Sequence, residues 1–230
     1  MTERLGRDIS LGEGADVRQA YLSVPASGHG PGVVVIQEWW GLVDHIRDVC
    51  DRLARDGFVA LAPDLYRGES TTDPDAASRL MLGLDIPRAV GDLDQTVSSL
   101  LGQDSVDGGR VGCIGFCMGG QLALAAACES ARIQAVVDCY GIHPDVTLDL
   151  SRLEAAVFGV FAENDEFVAP ETARKLESDL QGAGVRARFN VYVGVQHAFL
   201  NDSRPDVYDA PTAGEAWSDI LAFLRAELRA

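Results

Sequence analysis

Two rhythms alternate along this chain: short apolar, β-branched runs, and longer stretches where apolar residues return every three or four positions. Gly32 to Gln37 (Gly-Val-Val-Val-Ile-Gln), Phe58 to Ala62, Val111 to Ile114, Ile133 to Tyr140, Val157 to Phe161 and Arg188 to Val193 belong to the first kind and predict strands. The unbroken apolar character of Gly32 to Gln37 predicts a central parallel strand covered on both faces. Val17 to Val24 alternates more openly and predicts an early strand in an antiparallel hairpin. The second rhythm predicts helices over His45 to Asp56, Pro87 to Leu101, Gln121 to Cys128, Glu171 to Leu180 and Thr212 to Leu228. Within Pro87 to Leu101, for example, Val90, Leu93, Val97 and Leu100/Leu101 share one face. Asp44 is placed to cap the first helix and Gly57 to end it. Residues 69–84 read as a polar loop with a short helix, and Gly108-Gly109 as the turn into Val111 to Ile114. Strands alternate with helices throughout, which predicts one α/β domain over residues 1–230, a mostly parallel sheet with helices on both faces.

Composition narrows the partners. Nineteen basic against 35 acidic residues give a net charge of −16, which opposes nucleic acid and anionic membranes because phosphate binding needs clustered Lys and Arg. No run approaches the roughly 18 apolar residues of a membrane span, and the first residues lack the apolar core of a signal peptide. Five cysteines, an odd number, fit free thiols in a reduced, cytoplasmic protein. Clustered ligand spacing for a metal is absent from the sequence, and no cofactor is called for.

Chemistry enters at Arg110-Val111-Gly112-Cys113-Ile114-Gly115-Phe116-Cys117-Met118-Gly119-Gly120. An apolar strand, a Gly-x-Cys-x-Gly turn and an Ala/Leu-rich helix together make the nucleophile elbow of the α/β-hydrolases, with Cys117 where serine is usual. Glycines flank the nucleophile because its strained backbone leaves no room for neighbouring side chains. A helix beginning at Met118 aims its dipole and free N–H groups at the sulfur, which favours thiolate. Cys50, Cys113, Cys128 and Cys139 read as small buried hydrophobes.

Functional residues of open α/β sheets collect at the carboxyl ends of the strands. Glu163, Asp165 and Glu166 follow Val157 to Phe161, and His197 follows the last strand. Nucleophile, acid and histidine thus come in the chain order of the α/β-hydrolase triad. His197 would carry the proton and Asp165, favoured by its place after the strand, would orient the imidazole. Backbone N–H groups of Met118 and Trp39 would form the oxyanion hole. His29 and His45 read as surface groups, and His143 as a candidate for the pocket wall.

Together, Gln37-Glu38-Trp39-Trp40-Gly41, Ala62-Pro63-Asp64-Leu65-Tyr66, Gly115-Phe116-Cys117-Met118-Gly119-Gly120, Asn164-Asp165 with Val168, and His197-Ala198-Phe199 resemble the dienelactone hydrolase (carboxymethylenebutenolidase) family over nearly the whole chain. The resemblance implies an α/β-hydrolase fold without a large cap domain and a Cys117–His197–Asp165 triad. It also implies that Glu38 lies beside the sulfur and helps to take its proton when substrate arrives. Founding members of that family grip a substrate carboxylate with arginines, one of them a few residues past the histidine. Asn201 stands near that place here as a substrate-binding candidate, with Arg204 just beyond, while Arg79 and Arg88 in the variable segment are candidate substitutes for those arginines without a clear match. This departure puts dienelactone itself in question as substrate. Trp39, Trp40, Tyr66, Tyr140 and Phe199 would form an aromatic rim suited to a flat or apolar acyl group.

These residues predict a cofactor-free hydrolase of activated carboxylic esters or lactones, working through an acyl-thioester on Cys117. Two alternatives remain at this stage. One is a ligand-binding or thiol-redox sensor on the same fold, and the other a haloacid-type hydrolase with Asp165 as nucleophile.

Overall fold

A computed structural model describes residues 4–228 of the chain. Eight strands form one sheet in the order β1-β2-β4-β3-β5-β6-β7-β8. They are β1 (Arg7–Leu11), β2 (Arg18–Ser23), β3 (Gly30–Ile36), β4 (Val59–Pro63), β5 (Val106–Phe116), β6 (Ile133–Cys139), β7 (Ala156–Ala162) and β8 (Ala187–Tyr192). Strand β2 runs antiparallel to both β1 and β4, and every other neighbouring pair is parallel. This is the α/β-hydrolase architecture expected from the alternation of elements.

The helices are α1 (Asp44–Arg55), α2 (Pro74–Leu82), α3 (Ile86–Leu101), α4 (Met118–Glu129), α5 (Pro170–Gly182) and α6 (Ala210–Glu227). The two-residue period of the strands decides which helix covers which face. Val33, Val35, Ile114, Phe116 and Val137 point to a core shared with Ile46, Val49 and Leu53 of α1 and Ile220 and Leu224 of α6. Their neighbours Val34, Ile36, Cys113 and Val136 point the other way, against α3, α4 and α5. An unbroken apolar strand such as β3 is therefore buried twice over.

Caps set several helix starts. Asp73, Asp85 and Asp209 each accept a hydrogen bond from an N–H three residues on, at 2.8, 3.1 and 3.0 Å, with a proline in the first turn each time. Helix α1 departs from expectation. Asp44 is its first residue rather than its cap, and Val43 holds the cap position with no side-chain bond. Gly57 (φ 96°) ends α1 as expected, taking a left-handed conformation from which the N–H of Phe58 reaches back to Leu53 at 3.0 Å.

Two further differences concern strands. β5 begins at Val106, so Gly108-Gly109 lie inside it, where they pass an irregularity in the pairing with β3. β1 was not predicted, since its polar sequence is half of a sheet edge and reads as loop; its pairing with β2 supplies the expected hairpin. No helix among the described residues is long and apolar enough to cross a membrane.

Candidate active site

The parallel strands β3, β5, β6, β7 and β8 all deliver their carboxyl ends to one rim, where Cys117, His197, Asp165 and Glu38 come together. Cys117 occupies the corner between β5 and α4 at φ 53°, ψ −125°, a conformation costly for any residue with a side chain. The glycines around it are there for want of space. A Cβ on Gly119 would lie 2.6 Å from the carbonyl oxygen of Gln37, and one on Gly115 would overlap the backbone of Gly119. Strain gathers at this rim: the other positive-φ residues besides glycine, Arg67, Tyr140 and Ala198, all follow strand ends.

Past β7, Asp165 is buried while its neighbours Glu163 and Glu166 are exposed. One carboxylate oxygen of Asp165 accepts the N–H groups of Phe167 and Val168 at 2.8 and 2.9 Å. The other lies 2.8 Å from Nδ1 of His197. Three acids share that turn, and the folded turn presents one of them to the imidazole. Burial lowers the proton affinity of His197, but the hydrogen bond to Asp165 and the proximity of the Cys117 sulfur outweigh it and push the pKa up to about 10. Tyr140 and Phe167 pack on the ring, with centroids 4.9 and 5.0 Å away.

Glu38, at the end of β3, is 1 % exposed. Its Oε2 accepts a hydrogen bond from Nδ2 of Asn201 at 2.8 Å, while Oε1 is buried without a partner. Asn201 is held in turn, its Oδ1 accepting the N–H and hydroxyl of Ser203 at 3.0 and 2.6 Å. Asp202, next in the chain, lies 3.5 Å from Nδ1 of His45, and this contact holds the Asp202 carboxyl below the usual range.

Above the sulfur opens a cavity of about 570 Å³ lined by Glu38, Trp39, Trp40, Met81, Phe167 and His197 among others, with Arg204 also on its wall. Other predicted binding residues lie elsewhere. Asn201 turns inward to Glu38 instead of facing the cavity. Arg79 is exposed on α2, whose Pro74, Ser78 and Met81 face the cavity instead. Tyr66 donates to Sδ of Met118 at 3.2 Å and borders a second cavity. Tyr140 and Phe199 are fully buried beneath His197. His143 is buried behind the wall, where Nε2 meets the carbonyl of Met81 at 3.2 Å and Nδ1 accepts the N–H of Asp145 at 3.1 Å, so it pins the end of α2. His45, expected at the surface, is 4 % exposed and set edge-on to Phe116. Missed from sequence were Phe167, Ile142 and the α2 residues of the wall, since nothing in a lone apolar position tells core from cavity. Among the described residues no cluster of His, Cys, Asp and Glu could hold a metal ion.

The dienelactone hydrolase family profile matches residues 18–228. The chain belongs to the dienelactone hydrolase family. It is therefore a hydrolase of carboxylic esters or lactones acting on a small-molecule substrate. Protein usf of Aquifex pyrophilus is 37% identical over 222 residues, covering 94% of this chain and 95% of that one. A provisionally named carboxymethylenebutenolidase of Aquifex aeolicus is 34% identical over 229 residues, covering 94% and 96%. Among solved structures, the dienelactone hydrolase-like promiscuous phosphotriesterase P91 from metagenomic libraries superposes with a TM-score of 0.88 at 26% identity, over 97% of this chain and 98% of its own.

Proposed function

We propose that this dienelactone hydrolase-family chain cleaves activated esters or lactones through an acyl-thioester on Cys117. The observation that carries this is the convergence of Cys117, His197 and Asp165 at one floor, with the imidazole 2.8 Å from the Asp165 carboxylate and lining the same cavity as the sulfur. Thiolate is the nucleophilic form of a cysteine, and His197 is the group placed to exchange its proton. Sγ attacks the carbonyl carbon, and the developing oxyanion takes the N–H groups of Trp39 and Met118, neither of which has a protein acceptor among the described residues. Collapse breaks the C–O bond, and His197 protonates the leaving alkoxide or enolate. Neutral His197 then takes a proton from water, hydroxide attacks the thioester carbonyl, and the acid departs as the thiolate–imidazolium pair is restored.

Glu38 has a supporting part in this scheme. Its unpartnered Oε1 on the cavity wall is a ready acceptor for the thiol proton whenever the sulfur is found protonated. Thiolate is a better leaving group than an amine, so amides should revert and peptides should survive. Cys117→Ala tests the scheme: turnover of 4-nitrophenyl butyrate should fall by at least about 10⁴-fold. Intact-mass spectrometry of the wild type under substrate should show an acylated Cys117. Turnover that survives the substitution would end the proposal.

A further inference from the structure

We propose that the cavity over Cys117 takes uncharged, largely apolar esters or lactones and rejects substrates carrying a carboxylate near the scissile bond. This rests on the thiol-hydrolase reading and names the part of that broad class the site accepts. The geometry of charge at the floor carries it. Glu38 is buried on the cavity wall with only the neutral amide of Asn201 for a partner. Asp165 sits behind His197, so the imidazole is already engaged by one carboxylate while a second, Glu38, lines the same floor.

Among the described residues lining the cavity, Arg204 is the one Lys or Arg. Arg204, on the cavity wall, is closed onto Oδ2 of Asp206 at 2.7 Å. Arg88 meets Asp16 at 3.4 Å and borders the separate second cavity of about 310 Å³, where Arg67 is paired with Asp92 at 2.8 Å. Apart from the hydroxyl of Ser78, the rest of the main wall, including Trp39, Met81, Ile142 and Phe167, is apolar. A substrate carboxylate entering here loses water, gains no free cation and meets Glu38. Like charges about 7 Å apart at an effective dielectric near 20 repel enough to weaken binding roughly 50-fold.

Two measurements test this, both in about 0.3 M salt so that the overall charge of −16 is screened. The first is alkylation of Cys117 by iodoacetamide and by iodoacetate, read by intact mass, each rate divided by that of glutathione with the same reagent. Iodoacetamide should be favoured roughly 50-fold, and Glu38→Gln should shrink that ratio. Equal or faster reaction of iodoacetate would overturn the proposal. The second compares kcat/KM for 4-nitrophenyl methyl glutarate and its free acid, 4-nitrophenyl hydrogen glutarate. The methyl ester should win by a similar factor, and Arg204→Gln should leave that preference within about twofold. A preference for the free acid that vanishes in Arg204→Gln would overturn the proposal and make Arg204 an anion anchor. Alkylation bias without turnover of either ester would sink the hydrolase reading and leave the charge selection standing. Turnover of both esters through Cys117 with no bias would do the reverse.

Discussion

Two carboxylates in this protein are equally buried and differently treated. Asp51 of α1, 2 % exposed, accepts hydrogen bonds from the N–H groups of Leu5 and Gly6 and from the hydroxyls of Tyr21 and Ser23, the last at 2.6 Å. Both of its oxygens are engaged, and together these bonds tie the N-terminal sheet edge to α1. Glu38, 1 % exposed, has one oxygen on Asn201 and the other on nothing. Burial alone cannot separate an acid that holds a fold together from one with an oxygen left unpaired. Satisfaction does: a saturated acid has no capacity left for an incoming proton or substrate, whereas an open one carries a desolvation cost that the surrounding fold must sustain.

The hardest test of that contrast is Asp51→Ala. It leaves the hydroxyls of Ser23 and Tyr21 buried without their acceptor, and should cost about 3 kcal/mol in chemical denaturation. Activity per folded molecule should not change. Glu38→Gln is the mirror case, since the amide can still meet Asn201. Its stability should stay within about 1 kcal/mol of wild type while kcat/KM falls about 100-fold. If Glu38→Gln unfolds as readily as Asp51→Ala, the distinction between the two acids is gone.

A smaller effect sharpens the same point at Asp138, near the end of β6. Its carboxylate is fully buried against Gly120 and Gly141. Neither oxygen makes a well-formed hydrogen bond, and burial raises the pKa to about 7, with the Gly141 N–H offsetting only part. An acid whose folded pKa lies above its ordinary 3.8 binds its proton more tightly when folded. That stability is present below about pH 4 and is lost as pH rises through 7. Asp138→Asn removes the titration, so urea denaturation should show the variant gaining on wild type by about 1–3 kcal/mol between pH 4 and pH 8. A constant difference across that range would mean that Asp138 does not titrate there.

Much of this was legible in the chain. A continuous apolar run such as Val33 to Ile36 has to be buried on both faces, a local consequence of hydrogen bonding and burial. The elbow could be read in part for a related reason: Gly115 answers a steric demand set by Gly119 in the same turn, whereas Gly119 answers one set by the distant backbone of β3. Edge strand β1 escaped because its pairing partner, not its own pattern, makes it a strand.

The sequence by itself determined the alternation of elements, the strand-to-helix corner at Cys117, and the order of thiol, acid and histidine along the rim. Tertiary structure alone decided which of three clustered acids meets the imidazole. It also decided that Asn201 serves Glu38 rather than the cavity, that His143 and His45 are buried, and that α2 and Phe167 supply the walls. The physical reason is distance. Contacts such as that between Asn201 and Glu38 join residues far apart in the chain, so no local periodicity carries their trace, and only the closing of the sheet brings them together.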